Sequence, residues 1–189
     1  YTRPSLGGLV SGQLASTAEK RVISPTLAEQ LSEAGYTCIG LPPTPQADPV
    51  FGFDAGFEQF KNFYDAGNRG KTYRDYLAQF NLLRRLYHRV APPHAKFDQI
   101  PKDGDVLDEA VERFNDAESP RFLWVHLNEP HRPYGRDSDA IPKSLDRKAL
   151  FSPDRLSDAE HDEIISKYRR AIERTDRAIE QFLPRLDGD

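Results

Sequence analysis

The stretch RFLWVHL, residues 121–127, constrains the fold more than any other part of the chain. In an extended backbone Phe122, Trp124 and His126 face one way and Leu123, Val125 and Leu127 the other, so both faces are largely apolar. Such a strand belongs in the middle of a covered sheet, and sheets covered on both faces are mostly parallel, with helices as the covers. The residues just before it supply a helix. In DVLDEAVERFNDAE, Val106, Ala110, Val111 and Phe114 fall on one stripe behind Asp105 as a cap.

The same order occurs earlier. TLAEQLSEAG has Thr26 and Glu29 at capping-box spacing, Leu27 and Leu31 on one face and Gly35 as a stop, and the short apolar run YTCIGL follows at once. A third helix opens on the pair Ser157 and Glu160 and runs through Ile164, Ile165, Tyr168, Ile172, Ile179 and Phe182 as its apolar stripe. Helix before strand, repeated, predicts an α/β fold. We expect a mainly parallel sheet holding the strands near 36–41 and 121–127, sandwiched by helices near 26–34, 105–117 and 157–183, in one domain over residues 1–189. Two stretches resist regular structure. LPPTPQADPVFGFDAGFEQF reads as an ordered surface loop pinned by aromatic rings, and AIPKSLDRKALFSPDRLS as irregular, with Pro142 and Pro153 breaking any helix.

Composition excludes some functions. A formal net charge of -4, with no Lys/Arg cluster interleaved with aromatics, argues against nucleic acid as a partner. No apolar run approaches the ~20 residues needed to span a bilayer, so no membrane segment is visible. Cys38 is the single cysteine, which permits no internal disulfide and fits a reducing, cytoplasmic location. Within an apolar strand it is expected to be buried and inert.

Chemistry-bearing residues gather in two places. In WVHLNEPHRPYG an apolar strand empties into Asn128, Glu129, His131 and Tyr134, and in open α/β sheets ligands bind beyond the carboxyl ends of the strands. His126 reads either as a satisfied core histidine or as a substrate-binding group. His131, between Pro130 and Pro133 in a stiffened loop, reads as functional. The other place is YTRPSLGGLVSG, which begins the sequence. Pro4 suits the first turn of a helix, which sets Thr2 and Arg3 beside the exposed N–H groups of a helix start, a setting that favours anions, although the Thr-x-Pro-Ser string taken alone reads as a mere N-cap. Gly7 and Gly8 would let that helix approach its neighbours closely.

Taken in order, YTRPSLGGLVSG, TLAEQLSEAGYTC, GFDAGFEQF, RFLWVHLNEPHRPYG and YRRAIERTDRAIEQFL resemble the sulfatase family of the alkaline phosphatase superfamily, with gaps around residues 65–104 and 136–156. In that family the nucleophile lies in a Cys-x-Pro-Ser-Arg motif at a helix start, its Cys converted to formylglycine. The resemblance puts Thr2 at the nucleophile, with Pro4 and Ser5 in register. NEPHRPY resembles the family's Asp-Pro-His-x-Pro-Tyr stretch, whose His contacts the ester oxyanion, and that role falls to His131.

The departures are specific. Thr2 cannot become formylglycine, but Thr is the nucleophile of related phosphatases, phosphodiesterases and phosphoethanolamine transferases. Leu6 stands where the motif has Arg, and Arg3 is the nearest substitute. The resemblance implies a divalent cation, of the Ca or Zn class, with Thr2 as one ligand. The family's acidic metal-binding strand would lie before Tyr1 and its Asp-His or Asp-Asn pair after Asp189, so this stretch alone is expected to hold no stable metal and to be inactive. Implied overall is an alkaline-phosphatase-like sheet, incomplete here, of a hydrolase acting on a small-molecule sulfate or phosphate ester. Thr2 and His131 would be catalytic, and Arg3 and His126 would bind substrate. The alternative is a sulfatase-like module without catalysis, used for binding or assembly. Sheet edges left open by missing strands would favour self-association.

Overall fold

The structure, a computed structural model, describes residues 2–13, 21–63 and 101–188. The chain divides into two compact units. One is drawn from three stretches, Tyr1–Tyr64, Pro101–Asn128 and Arg177–Asp189, and the other from Asp65–Ile100 and Glu129–Asp176.

The first unit is the α/β part. Helices α1 (Thr2–Ser11), α2 (Leu27–Glu33) and α3 (Asp103–Asp116) accompany strands β1 (Thr37–Leu41), β2 (Gln59–Phe60) and β3 (Arg121–Val125). The strands form a parallel sheet in the order β2-β1-β3, with Ile39 opposite Leu123 and Leu41 opposite Val125. Parallel pairing puts the carboxyl ends of β1 and β3 side by side.

Alternation along the strands gives each sheet face its own core. Ile39 and Leu41 pack with Val106, Leu107 and Ala110 of α3 and with Phe182, while Leu123, Val125 and Leu127 join from β3 and its exit. The opposite face is aromatic. Phe57 lies 6.3 Å from Phe122 and 5.8 Å from Trp124, and Trp124 borders a cluster made of Leu6 and Val10 of α1 with Ala47 and Phe53. The two-faced reading of RFLWVHL is therefore correct in its alternation, but among the described residues its place in the sheet is not central. Among the described residues β1 is the central strand, because it pairs with both others, whereas β3 is a half-buried edge strand. Cys38, on β1, is buried, and its thiol donates to the Ala28 carbonyl at 3.5 Å.

Three local readings change. The stretch after β1 is not a surface loop. Pro42, Pro43, Thr44, Ala47 and Phe53 are buried, and two short 3-10 turns, each started by a proline behind a capping Thr44 or Asp48, fold it inward. Gly7 is not a close-packing residue, since a Cβ there would meet nothing within 4 Å. The stretch read as irregular in the second unit contains α4 (Lys143–Phe151). Its prolines bound the helix instead of breaking it: Pro142 precedes the first turn and Pro153 begins a separate 3-10 turn.

The long helix α5 (Asp158–Phe182) follows, entering with the second unit and ending with the first. Its predicted stripe is only partly buried. Ala171 and Phe182 are buried, but Tyr168, Ile172 and Ile179 are exposed. No helix among the described residues is long and apolar enough to cross a membrane.

Candidate active site

In the first unit, helix α1 begins at Thr2 and carries Pro4 in its opening turn, so the backbone of Thr2 stands at the positive end of the helix. For Thr2 the backbone alone is described. Arg3 turns onto the loop that leaves β1, its guanidinium carbon 3.4 Å from the centre of the Phe51 ring. Its Nε is buried without a hydrogen-bond partner. Burial lowers the Arg3 pKa, against the opposing pull of the Asp48 carboxylate. Leu6, at the position where the Cys-x-Pro-Ser-Arg pattern has Arg, is buried with Val10, Ala47 and Phe53. That position serves the core, and an arginine there would have to enter an apolar cluster.

The exits of β1 and β3 are tied to each other. The Asn128 side chain donates to the Pro43 carbonyl at 2.8 Å, and its backbone N–H donates to the buried Asp103 carboxylate at 2.8 Å. One asparagine thus fixes the loop after β1 to the loop after β3, and the acid at the start of α3 fixes the asparagine. His126 lies between β3 and this knot, its N–H reaching the Leu41 carbonyl at 3.4 Å. The sheet therefore presents at its carboxyl end a braced rim bearing His126 and Asn128, and α1 packs against the loop that leaves the same end.

In the second unit, His131 is exposed on a tight turn, with the Tyr134 N–H donating to its carbonyl at 2.8 Å and Nδ1 2.9 Å from the Arg132 carbonyl. That short distance favours the tautomer with the proton on Nδ1. The turn is heavily anchored. Arg132 grips Asp146 of α4: Nε donates to Oδ1 and Nη2 to the backbone carbonyl, each at 2.8 Å, and Nη2 also contacts Oδ1. The Ile141 N–H donates to the Pro133 carbonyl at 3.0 Å, and the Tyr134 ring meets Tyr168 of α5 at 5.1 Å.

The sulfatase family profile matches residues 1–189. The chain belongs to the sulfatase family. No curated protein and no solved structure matches it. Family membership makes this a sulfatase-like hydrolase by kinship, and the parallel sheet between helices is the fold expected of a sulfatase in part. Membership of the sulfatase family implies a small-molecule ester as substrate.

The divalent cation implied by the resemblance needs several ligands. Among the described residues no three His, Cys, Asp or Glu side chains stand together to hold one, so the described part of the chain does not fit that group by itself. Sequence reading named Thr2, Arg3, His126 and His131, and missed Asp103, which holds Asn128, and Asp146, which holds Arg132 beside His131. Asp103 lay two positions before the assumed cap of α3, and Asp146 sat in a segment read as irregular. No local signal marks either, because each acts on a loop distant in the chain.

Proposed function

We propose that the chain belongs to a hydrolase of sulfuric or phosphoric esters in which Thr2 is the nucleophile and His131 steadies the oxyanion, with Arg3 and His126 binding substrate. The family match over residues 1–189 carries this reading, and two features of the structure support it. Helix α1 starts at Thr2, where backbone N–H groups and the helix dipole favour a tetrahedral anion. His131 is exposed on an anchored turn that follows the exit of β3. In the reaction the Thr2 hydroxyl gives up its proton and its oxygen bonds to sulfur or phosphorus as the alcohol leaves, and water then releases the acid. The cation of the family reaction needs ligands besides the described residues.

The test is turnover of an aryl sulfate and an aryl phosphate by the protein at its full native length, with divalent cations supplied. Thr2→Ala should abolish turnover, and His131→Ala should lower kcat by about 100-fold or more, the usual cost of losing one oxyanion contact. An undiminished rate in Thr2→Ala removes Thr2 as nucleophile. Absence of turnover of either ester by the unmutated protein favours the module without catalysis.

A further inference from the structure

We propose that Arg174, on α5, is the positioning residue of the loop that presents His131. The inference rests on the reading of His131 as a group acting on the ester, and it extends that reading to a residue that no motif marks. The Arg174 guanidinium addresses both limbs of the loop. Nε lies 3.5 Å from Glu129 Oε2, and Nη2 donates to the Tyr134 carbonyl at 3.0 Å. Nη1 lies 3.8 Å from Asp139 Oδ2. Glu129 precedes His131 and Tyr134 follows it, so one rigid planar fork spans the segment that carries the imidazole.

The backbone at this point requires such support. Tyr134 has a φ of 65°, a left-handed conformation rare for a bulky residue, and its carbonyl in that conformation is the one Arg174 holds. The fit is close. A Cβ on Gly135, whose φ is 145°, would come within 2.8 Å of Arg174 Nη2 and 3.1 Å of Asp139 Cβ. The other anchor, Arg132 on Asp146, belongs to α4 and does not depend on Arg174. Loss of Arg174 should therefore loosen the His131 turn while leaving α4 in place.

The experiment compares the unmutated protein with Arg174→Ala and Arg174→Lys by amide hydrogen exchange and by ester turnover. Arg174→Ala should speed exchange at the Tyr134 amide by about tenfold or more while leaving the Asp146 amide within about twofold. Its kcat should fall by about tenfold or more with KM within about threefold, as expected of a misplaced group and not of lost binding. Arg174→Lys should fall between the two, because a lysine is a point charge that cannot reach both limbs. Should the alanine variant fail to fold, the lysine variant carries both readouts. Unchanged exchange at Tyr134 overturns the proposal. So does faster exchange with an unchanged kcat in a protein whose turnover His131→Ala abolishes. If His131→Ala leaves turnover intact, the functional reading falls, and exchange at Tyr134 alone decides whether Arg174 holds the loop.

Discussion

At Gly56 a side chain would have nowhere to go. A Cβ built there would lie 2.1 Å from the Glu29 nitrogen and 2.4 Å from the Ala28 carbonyl carbon, and the residue has a φ of 83°. Both constraints arise because this loop runs against the start of α2, where Thr26 Oγ1 accepts the Glu29 N–H at 3.0 Å and donates to the Ala55 carbonyl at 3.0 Å. Gly56→Ala combines a left-handed backbone with overpacking and should cost about 3 kcal/mol or more, whereas Thr26→Ala, losing a cap, should cost about 1 kcal/mol. Urea unfolding monitored by circular dichroism would read both, and a smaller effect for Gly56→Ala than for Thr26→Ala would contradict this packing. The two residues differ in how visible they were. Thr26 and Glu29 announce a capping box three positions apart, and both halves of it form. Gly56 touches a helix distant in the chain, so nothing beside it in the sequence distinguishes it from an ordinary turn glycine.

Among elements, those with local punctuation were legible. The helix near 26–34 is Leu27–Glu33, the one near 105–117 is Asp103–Asp116, and the one near 157–183 is Asp158–Phe182. The strand β2 was not, because two residues carry no period and Gln59 and Phe60 are strand only through pairing with β1. Helix α4 was missed because its flanking prolines were weighed as breakers, although a proline is tolerated before a first turn. The join between α4 and α5 can be tested electrostatically. Glu160 closes the cap of α5 by accepting the Ser157 N–H at 2.8 Å, and Lys148 of α4 donates to its two oxygens at 2.8 and 2.5 Å. The Lys148 hydrogen bonds, followed by that of the Ser157 backbone, bring the Glu160 pKa from an ordinary 4.5 down to about 2. Because the folded value is the lower one, the stabilising contribution is complete above about pH 4.5 and is lost as pH falls through about 2. Carboxyl NMR titration should show a Glu160 midpoint near 2, and Lys148→Ala should move it upward. A midpoint indifferent to Lys148→Ala would show that the pair does not form in solution.

The whole molecule is best probed from inside the sheet. Cys38 sits on the central strand, and burial, with the Glu58 charge adding to it, pushes its thiol pKa up. Labelling by a neutral thiol reagent should therefore be slow under native conditions and should accelerate with denaturant in step with loss of the fold, since the reagent reaches the buried sulfur only when the sheet opens. Fast labelling of the native protein would place Cys38 elsewhere. The family and the α/β class were legible in the order of the strings, whereas the residues bracing His131 were not, because Arg174 lies 40 positions from the carbonyl it holds. The same non-local construction governs the first unit, where Ile39 and Leu41 share a core with Ala178, Phe182 and Leu186. On a ribosome, then, the early strands leave the exit tunnel long before the helix end that will cover them. The growing polypeptide must carry that apolar sheet face uncovered until residues 178–186 emerge, an interval in which exposed apolar surface favours aggregation over folding.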